Sequence, residues 1–378
     1  MGLVYLDYAA STPVSKEALD VFQHLIRDCY GNASSLHDAG GKANEVLTYS
    51  RQSLAKLLEG EPEDIYFTSG GTESNLLAIQ SIMNGLPSHK QHLITTTVEH
   101  PSVHYAVNAL TRLGVKVTII EPNQDGIITP DILEKVLLPE TGLVSIQHAN
   151  SETGIIQPLA ELAPLLKERQ VLFHTDAVQT FGKIRVSIKE LGVDAMSISS
   201  HKVYAPKGAG AIYMSAHVPW KPLYTGAAQE NGLRPGTVNV PCIGAFIAAS
   251  EQMMPKLDEQ HKLDCQLRHY FLQQIKKRQL PVRTLQDNDN RRMLPHIIGC
   301  FFKGFEGQYV MLACNRHGIC ISTGSACASG YHHPSPAVKA LHLSDRDALQ
   351  FIRISIGRLT SKDDIDQLLH TFEILQKE

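Results

Sequence analysis

Ser197-Ile198-Ser199-Ser200-His201-Lys202 is an apolar strand signature that ends on a histidine and a lysine, just before the glycine-bearing Lys207-Gly208-Ala209-Gly210. A strand that hands a lysine to the loop at its carboxyl end is the arrangement of an open α/β sheet, whose loops gather along one edge. Two other stretches have the same form. Val171-Leu172-Phe173-His174-Thr175 delivers Asp176, and Asp64-Ile65-Tyr66-Phe67 runs into Thr68-Ser69-Gly70-Gly71-Thr72-Glu73-Ser74 ahead of a helical pattern over 75–83.

Outward from these stretches, helical patterns over 15–27 and 41–58 precede an alternation of strand-like and helix-like segments from about 65 to 214. Strands are expected at 64–67, 92–97, 115–120, 143–148, 171–175, 194–199 and 210–214, which makes a largely parallel sheet. A long helix is expected over 244–277, leading into a polar, turn-rich stretch at 283–292 that marks a second region. A chain of 378 residues exceeds the roughly 250–300 at which single cores stop growing, so two domains are expected.

Bulk properties narrow the function classes. A formal net charge of -3 supplies no basic field, which argues against nucleic acid as the main partner. The first seven residues show neither the basic region nor the apolar core of a leader, and no apolar run reaches spanning length, so no membrane partner is expected. Seven scattered cysteines, an odd number, argue against a disulfide framework and for a reducing, cytoplasmic location.

Lysine forms Schiff bases with aldehydes, and pyridoxal phosphate requires such a lysine, an acid for its pyridine nitrogen and a phosphate cradle. Lys202, Asp176 and the turn at 68–74 are candidates for the three, the last because backbone amides at a helix start bind phosphate. Each piece alone has an ordinary reading as a turn, a cap or a surface lysine. Their order, each after an expected strand, favours the cofactor.

A second chemical centre is Cys327, within the small, polar Ser322-Thr-Gly-Ser-Ala-Cys-Ala-Ser-Gly330, a composition suited to an exposed loop. Read without context, a free cysteine is more often a small packing residue. Cys314, Cys320, Cys327, His317, His332 and His333 crowd one region, but they contain no Cys-x-x-Cys pair and match no common zinc spacing. No metal is expected, and Cys314 and Cys320 are read as packing residues.

Taken together the chain resembles the pyridoxal-phosphate-dependent cysteine desulfurases of the NifS/IscS type, within the class V aminotransferases. The resemblance runs almost end to end. It rests on Tyr5-Leu-Asp-Tyr-Ala-Ala10, Gly31-Asn-Ala-Ser-Ser35, Ser69-Gly-Gly-Thr-Glu-Ser74, Glu99-His100, Asn150, Asp176-Ala-Val-Gln179 and Ser199-Ser-His-Lys202. Further along it rests on Arg234-Pro-Gly-Thr237, Gly324-Ser-Ala-Cys327 and Arg353-Ile-Ser-Ile-Gly-Arg358.

The resemblance implies an α/β chain of the fold-type I transferase architecture: a large domain with a mostly parallel seven-stranded sheet, and a smaller α+β domain. Residues 15–255 would form the large cofactor domain. Residues 1–14 and 256–378 would form the small one, carrying the cysteine loop. The implied reaction converts L-cysteine to L-alanine through a cofactor ketimine and a persulfide on Cys327.

The same resemblance implies the residue roles. Lys202 is the Schiff-base lysine and general base, and Cys327 is the nucleophile. His100 stacks on the pyridine face and helps move a proton. Asp176 holds the pyridine nitrogen, Gln179 the phenolic oxygen, and Asn150 that oxygen or the substrate. Gly71, Thr72, Ser199 and His201 serve the phosphate, with Thr237 reaching the phosphate of a neighbouring subunit, which implies a homodimer. Arg353 pairs with the substrate carboxylate, and the sulfur goes to an acceptor protein, either an iron-sulfur scaffold or a dedicated target enzyme.

The chain departs from the family pattern at Ser200, usually glycine, and at Gly71, usually alanine; both changes are small. Gly330-Tyr-His-His-Pro-Ser-Pro336 replaces a Leu-Glu-Pro-Ser-like segment, and the chain stops soon after Leu375, which together imply a restricted set of acceptors. An aminotransferase or a selenocysteine lyase would share the cofactor site, and a scaffold without turnover would share the fold. A Cys327→Ala variant separates the first two from a desulfurase.

Overall fold

The structure is a computed structural model that describes residues 2–226, 228–285, 293–324 and 334–377. After a two-residue strand, Val4–Tyr5 (β1), seven strands build the central sheet. They are Ile65–Thr68 (β2), His92–Thr96 (β3), Lys116–Ile120 (β4), Thr141–Ser145 (β5), Leu172–Asp176 (β6), Ala195–Ser199 (β7) and Gly210–Met214 (β8). Their order is β2-β8-β7-β6-β5-β3-β4. The run from β4 through β3, β5 and β6 to β7 is parallel, whereas β8 is antiparallel to both β7 and β2. The mostly parallel seven-stranded sheet expected from the sequence is therefore present.

Burial explains why these segments read so clearly. Every residue of β2, β3, β5, β7 and β8 is buried, as a sheet covered on both faces requires. One apolar core joins Leu54, Leu58, Leu162, Phe173 and Phe246, and another packs Leu77, Ile82, Val103 and Leu110 against strand residues Leu93 and Ile212.

Two expectations need correction. β5 ends at Ser145, not at 148. Ile146 and His148 still donate to the carbonyls of His174 and Asp176, at 3.1 and 2.9 Å. The chain then folds back, with Ala149 bridged to Ile156. The long helix expected over 244–277 is two helices, Val240–Met253 and Leu257–Lys277, separated by the turn Met254–Lys256. Pro255 sits in that turn, where its missing N–H and fixed φ interrupt the ladder.

A second apolar core lies in the C-terminal region. Ile297–Phe302 (β10) pairs antiparallel with Val282–Thr284 (β9) and with Phe351–Ser355 (β12). Ile319–Cys320 (β11) pairs parallel with β1, so the first strand of the chain packs beside some of the last residues. Val4 and Leu6 share this core with Phe271, Phe302, Ile354 and Phe372.

One buried ion pair braces the strand that leads to the cradle. Arg51 donates to both carboxylate oxygens of Glu230, at 3.0 and 2.9 Å, and the Phe67 N–H adds a third bond at 2.7 Å. The Glu230 side chain is only 1% exposed. An Arg51→Ala substitution leaves that charge uncompensated and is expected to cost about 3–5 kcal/mol. A urea midpoint indistinguishable from the parent would contradict this.

Candidate active site

The site grows from the carboxyl ends of the strands. β2 runs through Thr68 into a turn in which Gly70 has φ 151°, in the region glycine favours, and the helix Gly71–Gly85 starts there. Packing is tight at this start. A Cβ on Gly210, the first residue of β8, would lie 2.6 Å from Gly70 Cα, and one on Gly71 would lie 2.8 Å from Val178 Cγ2. Gly71 and Thr72 line a cavity at this helix N-terminus, whose free amides and dipole favour an anion.

β6 ends at Asp176, whose Oδ1 accepts the Val178 N–H at 2.9 Å and whose Oδ2 accepts from Asn75 Nδ2 at 2.6 Å. Three residues on, Gln179 Nε2 donates to the Ala9 carbonyl at 3.1 Å. β7 ends at Ser199, buried and with no hydrogen-bond partner for its Oγ among the described residues. Lys202 follows within the turn Ser200–Lys202, its Nζ donating to the carbonyls of Ala9 and, at 2.8 Å, Ala10. His201 Nδ1 lies 3.3 Å from Ser11 Oγ, and burial, with Lys202 adding to it, pushes the His201 ring down to about 4.

β3 leads to Glu99 and His100. Burial pushes the Glu99 carboxyl up to about 8; it accepts from Thr96 Oγ1 at 2.7 Å and from the Gln147 N–H at 3.0 Å. His100 caps the helix Pro101–Arg112, its Nδ1 accepting the Ser102 N–H at 3.2 Å, with Ser102 Oγ 2.7 Å away. Burial holds the His100 ring below the ordinary histidine range; Asp176 opposes the shift and Lys202 reinforces it.

From the C-terminal region, Arg353 on β12 reaches the same cavity. Its Nη2 donates to Asp7 Oδ1 at 2.7 Å and its Nη1 to the Ser151 carbonyl at 2.9 Å, while Nε is buried without a partner among the described residues. The cavity holds about 280 Å³. Of the residues expected from the sequence, Gly71, Thr72, His100, Asp176, Gln179, Ser199, His201, Lys202 and Arg353 line it together.

Two expected residues do not line it. Asn150 holds a turn: its Oδ1 accepts from the N–H groups of Glu152 and Thr153, both at 2.9 Å, and its Nδ2 donates to the Val98 carbonyl at 3.0 Å. Thr237 is exposed and does not line this cavity. Cys327 is outside the described residues, as are His332 and His333. Cys314 is buried in the second core, where desolvation pushes its thiol up to about 12. Among the described residues no group of histidine, cysteine and acidic side chains is placed to hold a metal, and no helix is long and apolar enough to cross a membrane.

Sequence reasoning missed Asn75, Gln147 and Asp7. Asn75 had a signal: it lies one helical turn beyond Gly71, on the face the cradle turns toward the site.

Comparison with known proteins agrees with this geometry. Residues 4–368 match the class-V aminotransferase family. The chain is 58% identical over 373 residues to the putative cysteine desulfurase NifS of Bacillus subtilis strain 168, covering 99% of this chain and 94% of that one. It is 39% identical over 375 residues to the cysteine desulfurase IscS of Dictyoglomus turgidum, covering 99% and 95%. A solved NifS-like protein superposes with a TM-score of 0.92 at 32% identity over all of both chains. A structure of SspA in complex with cysteine superposes with a TM-score of 0.82 at 32% identity, over 93% of this chain and 98% of that one. With its cavity, its sheet order and these relatives in agreement, the chain belongs to the class-V aminotransferase family and, within it, to the cysteine desulfurases of the NifS/IscS type.

Proposed function

We propose that this desulfurase takes sulfur from L-cysteine, leaves L-alanine, and carries the sulfur on Cys327 to an acceptor protein. The observation that supports the reading most directly is the meeting of Lys202, Asp176, His100 and Arg353 in one cavity at the carboxyl edge of the sheet. The family is pyridoxal-phosphate-dependent, and the residues present fit that cofactor: the unpartnered Ser199 Oγ beside a glycine-opened helix start suits a phosphate, and a lysine and a buried acid stand nearby.

Thr72, Ser199, His201 and the helix amides at Gly71 would hold the phosphate, Asp176 the pyridine nitrogen and Gln179 the phenolic oxygen, with His100 against the ring. Asn150, which does not itself line the cavity, would contact that oxygen or the substrate. When bound, the cofactor supplies an aldehyde carbon for an amine and an electron sink for a carbanion. Lys202 Nζ would anchor it, and the same amine would accept the substrate's α-proton and give it back. Cys327 thiolate attacks the substrate sulfur: an S–S bond forms and the C–S bond breaks, its electron pair staying on the carbon that becomes alanine's methyl after protonation.

Arg353 holds the substrate carboxylate. A guanidinium has five N–H donors, and Asp7 and Ser151 take one each, so donors remain while the fork is fixed in place. An Arg353→Lys variant keeps the charge and loses the fork; KM for L-cysteine is expected to rise about 10- to 100-fold, more than kcat falls. An unchanged KM would remove Arg353 from this role.

We further read the chain as a cytoplasmic homodimer divided into residues 15–255 and 1–14 with 256–378. The exposed Thr237, which does not line its own cavity, supports service to a second subunit. The test is to incubate cofactor-loaded protein with L-cysteine, following alanine and a gain of one sulfur on the Cys327 peptide. Bound cofactor without alanine overturns the reading.

A further inference from the structure

Asp176 and His100 are joined by two residues with no assigned role. Asn75 and Ser102 are fully buried, and Asn75 Nδ2 donates both to Asp176 Oδ2 at 2.6 Å and to Ser102 Oγ at 2.9 Å. The orientation of this amide is decided by the carboxylate, since Asn75 Oδ1 in that place would set two acceptors against each other. Ser102 then has one hydroxyl hydrogen to give, and His100 Nδ1 lies 2.7 Å from its Oγ.

The decisive bond is the other one. The Ser102 backbone N–H also points at Nδ1, at 3.2 Å, and a backbone amide can only donate. Nδ1 must therefore keep its lone pair, and the ring's single proton sits on Nε2. Forming the imidazolium would set an Nδ1–H against that amide at the positive end of the helix Pro101–Arg112. The charged groups facing the ring divide: Lys202 opposes protonation, and Asp176 favours it with both oxygens already engaged by Asn75 and the Val178 N–H. His104 and His201, the other titratable neighbours, sense the ring as a like charge when it is protonated.

We propose that His100 works in the desulfurase cavity as a fixed hydrogen-bond donor through Nε2–H, and that Asn75 and Ser102 are positioning residues that hold it in this tautomer. The inference rests on the reaction site proposed above. In this cavity the ring carries its proton on Nε2, and Nδ1 is already engaged by the Ser102 N–H. The proton-transfer work expected of His100 falls to Lys202. The arrangement follows the pattern of a neutral, donating histidine held at a helix N-terminus.

The test combines a spectrum with two substitutions. In holoenzyme labelled with ¹⁵N-histidine, the His100 signals are identified by their loss in His100→Gln. They are expected to show the neutral Nε2–H pattern and to keep it as pH falls through the ordinary histidine value of about 6.5. In Asn75→Asp the new carboxyl group shares a proton with Asp176, its oxygen now accepts the Ser102 hydroxyl and draws it away from Nδ1, and the titration of His100 moves up. His100→Gln, which still offers an N–H, should hold kcat within about tenfold of the parent, against a loss of about a hundredfold or more in His100→Ala. An Nδ1–H or imidazolium pattern near neutral pH overturns the proposal, as does a Gln variant no better than Ala. The tautomer is read without turnover, so a parent that makes no alanine counts against the desulfurase site and not against the tautomer.

Discussion

Lys202→Ala is expected to lower alanine formation by about 10⁴-fold or more and to leave no cofactor attached to the chain after borohydride reduction. The parent should gain one cofactor mass under the same treatment. The proposed role puts two functions on one atom, with Nζ the amine for the aldehyde and the base for the α-proton, so the expected loss exceeds that of a base alone. Lys202→Arg should fail as fully, because a guanidinium stays protonated and makes neither contribution. Lys183, which lines a different cavity with Tyr204 and Arg358, is another amine that burial pushes down, to about 8. If the reduced cofactor persisted in Lys202→Ala and mapped to Lys183, the central assignment would be wrong.

Cys327→Ala should abolish the sulfur gained by the protein and cut alanine release by about 10³-fold, while reductive trapping of the cofactor on Lys202 is unchanged. The described cysteines support the choice by elimination. Burial raises the thiols of Cys242, Cys265, Cys300, Cys314 and Cys320, so each is held in the protonated, poorly nucleophilic form. Cys29 sits at the C-terminal cap of the helix Lys16–Asp28 and does not line the cavity. Sulfur found on Cys29, or retained in Cys327→Ala, would point to a different carrier.

What the sequence revealed follows from burial. A strand covered on both faces is short, rich in buried apolar residues and poor in charge, so β6 and β7 announced themselves, and with them Asp176 at the end of one and Lys202 in the turn after the other. The helix break was legible as well, since Pro255 is plain in the sequence, but the periodic pattern on either side masked it. Asn75 and Ser102 were not legible. Their contribution comes from hydrogen bonds between positions 27 and 101 residues apart, and only the packing of three elements brings those side chains together. The motif around Asp7 and the one around Arg353 were each visible, but nothing local to either shows that they touch.

That contact sets a schedule for synthesis. Asp7 and Arg353 are 346 positions apart, and the carbonyls of Ala9 and Ala10 that receive Lys202 lie in the same early segment. At about 5–20 residues per second a ribosome needs roughly 17–70 s to travel from one partner to the other. For all that time the sheet can form while the corner between Asp7 and Arg353 stays unbuilt, so with Arg353 in its proposed role an incomplete chain would hold no cysteine carboxylate before its last strand emerges.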